Sequence, residues 1–248
     1  MQTPGIATPQ GTAAPDGDHG ETAVAARLAA QIDRHAPVLD GIRGIAILAV
    51  MAFHYINGSH HLPVLKQVFD AAHSGWLGVD LFFVLSGFLI TGILLKGRGR
   101  AGYYRNFYIR RTLRIFPLYY GVLAVVFGAG ALIPALNTPG FRELAAKQGW
   151  LWTYTMNWAH FLRPGAVFNC EWIELYHFWS LAVEEQFYLV WPTVVLLLPR
   201  RWFVGLCVGI VGAAAAQRGL GAALGLEPWL FRADGLVLGG LIATLARS

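Results

Sequence analysis

Six stretches of this chain approach or reach the roughly 20 apolar residues that a helix needs to cross a bilayer. They are Val38–Ile56, Trp76–Leu95, Thr112–Ile133, His177–Leu198, Trp202–Ala216 and Trp229–Leu245. Inside lipid no water reaches the backbone, so each run must satisfy its own N–H and C=O groups as a helix. The expected fold class is all-α: a polytopic transmembrane helix bundle of about six spans. The fifth run is short and rich in Gly and Ala, which leaves its ends open. A seventh, aromatic stretch at Trp150–Phe161 is too short to span and is expected as a short interfacial or re-entrant helix.

Composition agrees with a membrane protein. Hydrophobic residues make up 56% of the 248 and charged residues only 13%. Nine Trp and nine Tyr suit the boundaries between lipid and water. The net charge of +5 would fit nucleic acid, but the basic residues sit in short loops beside apolar runs. Positive-inside topology accounts for them, so no nucleic-acid partner is expected. Met1–Pro37 is rich in Gly, Pro, Ala and Thr and lacks the apolar core of a signal peptide. It is expected as a disordered cytoplasmic tail with a short helix over Glu21–Arg34, followed by one membrane domain over 38–248. Cys170 and Cys207 form no metal-ligand spacing and are not expected to pair. Neither a metal nor a cofactor is called for.

Loop charge sets the orientation. Lys96–Arg111 carries Lys96, Arg98, Arg100, Arg105, Arg110 and Arg111 with no acidic residue, and Arg200 and Arg201 follow the fourth span. Both groups are cytoplasmic only if Trp150–Phe161 does not cross. Both termini are then cytoplasmic. Arg43, Arg110, Arg111 and Arg114 fall near the inner side. His54, Asp80, His177, Glu184, Glu185, Arg232 and Asp234 fall toward the outer half.

Arg43 and His54 share the first apolar run, eleven residues apart. Eleven steps of a helix are about three turns, leaving the two only ~20° out of phase and roughly 16 Å apart along the axis. Ionisable groups in an apolar helix face a protein interior, a cavity or a pathway. A cation at one end and a base at the other therefore point to a cavity crossing much of the membrane. Arg111 and Arg114 lie on neighbouring turns of one face. Glu184 follows Ser180 by four residues and His177 by seven, on a common stripe, whereas Glu185 projects about 100° away. Ser86 lies in LSGFL, which is not a Gly-x-Ser-x-Gly elbow, and reads as packing or a pore-lining hydroxyl. His35 and Asp40 fit a His-four-residues-Asp spacing, but Pro37 interrupts the helix that would present them.

The strings VLDGIRGIAILAVMAFHY, GVDLFFVLSGFLIT, FYIRRTLRIFPLYY, HFWSLAVEEQFYLVWP and FRADGLVLGG occur in that order. Together, from about Val38 to the C-terminus, they resemble the membrane-bound acyltransferase 3 family, which moves acyl groups onto hydroxyls of sugars and other acceptors. The resemblance implies an integral-membrane O-acyltransferase using an acyl-CoA donor, acetyl-CoA foremost, and a saccharide or glycosylated acceptor. It implies a bacterial inner membrane. His54 would be the general base that activates the acceptor hydroxyl directly, or would assist an acyl handover across the membrane, and Arg43 would bind phosphate or orient the donor. Arg111 and Arg114 match the family's Arg-x-x-Arg motif and would hold the phosphates of coenzyme A. Asp80 would position His54 or Arg232, or form a structural ion pair, and Glu184 would bind or orient the acceptor. Arg232 and Asp234 are expected in the same buried polar network as Glu184. Family members usually continue through about ten spans, so the domain is expected to be incomplete at the C-terminus, with a protein partner as one source of the missing helices. Two other classes fit parts of the pattern: a transporter, and a non-catalytic family remnant.

Overall fold

The computed structural model describes residues 38–39, 41–48, 50, 74–163, 165–224 and 232–247. His54, the tail 1–37 with its helix at Glu21–Arg34, and the His35–Asp40 pair lie outside the described residues. The described chain is nearly all helix, and the all-α class holds. A helix over 41–48 (α1) is followed by α2 (Ser74–Gly97) and α3 (Tyr103–Leu132). Three short helices come next: α4 (Pro139–Ala146), α5 (Gln148–Trp152) and α6 (Met156–Leu162). The chain continues through strands β1 (Asn169–Cys170) and β2 (Ile173–Glu174) to α7 (Phe178–Leu197), α8 (Arg200–Leu224) and α9 (Asp234–Leu245).

Among the described residues three helices are long and apolar enough to cross a membrane, over Gly78–Gly97, Tyr103–Leu132 and Arg200–Gly221. Their surfaces stay apolar where they meet no protein: Leu118 and Leu132 of α3 are 74% and 82% exposed. A helix apolar all round is one that faces lipid as well as core. α3 and α8 are longer than the apolar runs foretold. α3 begins at Tyr103 because Gly102, at φ 74°, supplies the left-handed residue that turns the chain out of α2. Its first turns then carry Arg105, Arg110 and Arg111, which read as loop. α8 runs on past Ala216 because Ala-rich sequence with no Pro gives no reason to stop.

Trp150–Phe161 does not cross. α5 and α6 have five and seven residues, and a turn at Tyr154, in the left-handed region at φ 54°, separates them. Tyr119 and Tyr120 of α3 donate to the carbonyls of Leu151 (2.7 Å) and Trp152 (3.2 Å), fastening α5 to α3. The small antiparallel hairpin pairs Asn169 with Glu174 and Cys170 with Ile173, a piece of strand no periodicity announced. Trp172 from its turn stacks on Phe141 at 5.7 Å and donates to the Leu136 carbonyl. Cys170 and Cys207 are both free thiols.

Contacts give the helices their directions. Phe83 of α2 meets Trp179 at 6.1 Å, and eight residues on Thr91 accepts from Trp191 Nε1 at 2.8 Å, so α2 and α7 run parallel. Tyr103 donates to the Pro192 carbonyl and Tyr108 to the Leu189 carbonyl, both at 2.9 Å, while Tyr119 sits 5.2 Å from Phe178, so α3 is antiparallel to α7. Pro192, inside α7, lacks the N–H that would close one rung of the helical ladder. The tyrosines of α3 donate to its own carbonyl and to that of Leu189. The bundle thus has a basic end, holding Lys96, Arg98 and Arg200, and an aromatic end built from α4, α5, α6 and the hairpin.

The tightest contact lies between α2 and α9, where backbones touch through glycine. A Cβ on Gly87 would sit 1.8 Å from the Leu236 carbonyl oxygen, and one on Gly239 would sit 2.0 Å from that of Val84. Small residues allow this approach, which lets dispersion hold helices together where lipid offers no hydrophobic drive. Gly87→Ala and Gly239→Ala should each cost about 1–3 kcal/mol through overpacking, read as a lower unfolding midpoint of the detergent-solubilised chain. Gly205→Ala adds a methyl that meets nothing within 4 Å and should not lower it. Equal losses at all three positions would contradict a glycine-dependent seam.

Candidate active site

Four polar side chains from three helices meet inside the apolar bundle. Arg43 of α1 is 9% exposed and Glu184 of α7 only 2%. Arg43 Nη2 donates to Glu184 Oε1 at 3.3 Å, and its guanidinium lies 5.1 Å from the ring centre of Phe82 on α2. Tyr188, one turn beyond Glu184, donates its hydroxyl to the same carboxylate oxygen. Arg111 of α3 completes the chain. Its Nη1 lies 3.4 Å from the Tyr188 hydroxyl, and its guanidinium sits 4.7 Å from the Tyr188 ring centre and 6.0 Å from that of Phe107.

The geometry follows from helix phase. Glu184 and Tyr188 are four residues apart and so share a face. Glu185 is turned about 100° away, and its partly buried carboxylate lies within electrostatic reach of Tyr119, Tyr120 and Tyr154 instead. Arg111 and Arg114 differ by about 60° around α3, enough to bring Arg111 inward while Arg114 is exposed. Loop charge had placed the arginines near one side and Glu184 toward the other half. The structure corrects this: Arg43, Arg111 and Glu184 lie at one depth, because a long guanidinium side chain reaches the carboxylate from a neighbouring helix.

The remaining candidates form a separate group. Asp80 Oδ1 lies 3.7 Å from Arg232 Nη1, with the Asp80 side chain 59% exposed, which makes this a loose pair. Asp234 Oδ2 pairs with Arg218 Nη1 at 2.7 Å. Arg232 and Asp234 were expected beside Glu184. They lie instead at the start of α9, which packs on α2, so their near neighbours are Asp80 and Arg218. Ser86 is fully buried beside Gly87, at the α2–α9 seam. His54 lies outside the described residues. Among those described, no group of His, Cys, Asp and Glu is arranged to hold a metal ion.

Tyr188 is the member that sequence reading passed over. The same four-residue spacing that joins Ser180 to Glu184 joins Glu184 to Tyr188, so extending that stripe by one turn would have found it.

The cluster can hold charge in a place where charge is costly. A buried cation is tolerated when paired, and removing its partner typically costs about 3–5 kcal/mol. Glu184→Ala should therefore destabilise the solubilised chain by about that amount. An apolar replacement of both, Arg43→Met with Glu184→Leu, should recover most of the loss. A double-mutant cycle on the unfolding free energy checks this, and additive single effects would mean the two groups do not depend on each other.

Comparison with known proteins places this geometry. A profile described as an acyltransferase domain matches residues 37–244. The peptidoglycan O-acetyltransferase OatA of Listeria monocytogenes is 34% identical over 168 residues, 66% of this chain and 25% of that protein. A provisionally named O-acetyltransferase of Staphylococcus aureus strain COL is 35% identical over 181 residues, 69% of this chain and 27% of its own length. YrhL of Bacillus subtilis, provisionally named a peptidoglycan O-acetyltransferase, is 34% identical over 174 residues, 67% of this chain and 25% of that protein. The chain thus spans about a quarter of the length of these relatives. No solved structure matches it. With a profile match over nearly all of its membrane part, the chain belongs to the acyltransferase 3 family.

Proposed function

We propose that the chain is the membrane part of an O-acyltransferase that moves an acetyl group from acetyl-CoA to a saccharide hydroxyl of the bacterial cell envelope. The observation that carries the proposal is Arg43, a cation held by Glu184 inside the apolar bundle, on the segment whose sequence also bears His54. The names of the Listeria and Bacillus relatives favour peptidoglycan as the acceptor. The basic end of the bundle faces the cytoplasm of an inner-membrane protein, by the charge of its loops.

Donor and acceptor meet as follows. Acetyl-CoA enters from the basic end and extends inward to Arg43, Arg111 and the exposed Arg114, which bind its phosphates or orient its arm. A guanidinium suits this because it stays charged and presents a fork of donors to phosphate oxygens. Glu184 fixes Arg43 from behind, and Tyr188 fixes Glu184. The acceptor oxygen attacks the thioester carbonyl, its proton passes to His54, the new C–O ester bond forms and the C–S bond breaks. The proton then leaves with the thiolate of coenzyme A, which restores His54. A neutral imidazole near physiological pH suits such a base.

Acetyl transfer from radiolabelled acetyl-CoA, followed in membranes carrying the chain, tests this reading. His54→Ala should lower transfer by about 10²–10⁴-fold, the range of a lost general base, with protein level nearly unchanged. Equal activity would remove His54 from the chemistry. Arg114→Ala should raise the KM for acetyl-CoA more than it lowers kcat, and an unchanged donor dependence would remove Arg114 from donor binding. Substrate flux without a labelled ester would mark a transporter. A chain that neither binds donor nor forms ester, alone or joined to further family helices, would mark a remnant.

A further inference from the structure

The basic end holds a cavity that the Arg43 cluster does not reach. It encloses about 300 Å³. Four cations line it: Lys96 at the end of α2, Arg98 in the turn after it, Arg200 at the start of α8 and Arg247 just past α9. Thr244 adds a hydroxyl and Phe203 an apolar wall, and no carboxylate is among the lining residues.

Loop charge alone does not account for this. Positive residues that only set topology need no common target and repel one another when brought close. Here they come from segments separated by about a hundred residues on one side and nearly fifty on the other, and they converge on one concavity. Arg98 is among those fixed in place. Arg98 Nη2 donates to the carbonyls of Leu196 (3.1 Å) and Leu198 (3.2 Å), at the C-terminal end of α7 where the helix dipole is negative. The others surround the space beside it.

Val195 lines the same cavity and lies eleven residues beyond Glu184 on α7. That is about 16 Å along the helix on nearly the same face. The cavity is thus a second polar location, about three turns from the first, at the end of the bundle where loop charge gathers.

We propose that this cavity binds a phosphate-bearing anion. The four cations neutralise it, Arg200 offers forked donors to its oxygens, and Phe203 packs against whatever apolar portion it carries. Two sources present this chemistry at a membrane surface: the headgroup of an anionic phospholipid, for which basic pockets between spanning helices are suited, and the phosphates of a soluble nucleotide such as coenzyme A. The site stands on the cavity and its charge, independently of whether the chain transfers an acyl group.

Binding by the purified full chain in zwitterionic nanodiscs tests the proposal without any turnover. Radiolabelled coenzyme A is measured by equilibrium dialysis, and retention of phosphatidylglycerol by native mass spectrometry. Lys96→Gln combined with Arg200→Gln should weaken one of these at least tenfold. Arg142→Gln with Lys147→Gln, which removes the same charge at the aromatic end, should change neither by more than twofold. Loss confined to coenzyme A identifies a soluble phosphate, and loss confined to phosphatidylglycerol identifies a lipid headgroup. In the unmutated chain the bound ligand should slow hydrogen exchange at 96–100 and 198–203, a readout that does not depend on how the variants fold. The proposal is overturned if neither ligand protects those segments, or if the control variant loses as much binding as the cavity variant.

Discussion

A guanidinium and a carboxylate inside an apolar bundle persist only together. Arg43 and Glu184 come from helices separated by 141 residues, and each makes the burial of the other tolerable. This pair ties α1 to α7. Tyr188 carries the connection along α7 and Arg111 extends it to α3, so three helices meet at one polar point. Phe82 on α2 adds a ring beneath the Arg43 guanidinium. Everything proposed for chemistry depends on this point, because it keeps a permanent cation within an interior that would otherwise exclude one.

Around that point the structure divides into two ends built by different means. At the basic end, tyrosine hydroxyls of α3 and the Arg98 guanidinium satisfy carbonyls of α7 near and after Pro192. Carbonyls at a helix terminus lack helical donors, and here the Arg98 guanidinium supplies them. At the aromatic end, Tyr119 and Tyr120 anchor α5, and stacked rings hold the short helices against α3. The first end gathers cations and the second gathers aromatic rings. Such a division suits the proposed transfer from an anionic donor on one side to a saccharide on the other.

The helices were largely legible in the sequence, since the cost of exposing backbone to lipid acts on every residue of a run and leaves long apolar stretches, and three of the described helices are long enough to cross. α2 and α7 fall within two residues of the ends expected. Helix boundaries were less legible where they depended on turn geometry, as at Gly102, or on the absence of a stop, as beyond Ala216. The divergence of Glu184 from Glu185 followed from their adjacency alone. Their partners did not. Arg43 read as a donor ligand, and nothing in one-dimensional spacing could join it to Glu184. Tyr188 was hidden among the aromatic residues of α7, where a hydroxyl that serves a carboxylate looks no different from one that faces lipid.

The sequence by itself determined that this chain folds as membrane-crossing helices with a basic end, and that certain charged residues must turn inward. Hydropathy, loop charge and helical period act along the chain, so they can be read along it. Tertiary structure alone decided which inward residues meet, that Arg43, Arg111 and Glu184 share one depth, and that Lys96, Arg98, Arg200 and Arg247 surround one cavity. Those outcomes are fixed by how closely helices approach, which at Gly87 and Gly239 is a matter of atoms absent from both sides of a seam. No period within a single helix encodes the distance to its neighbour.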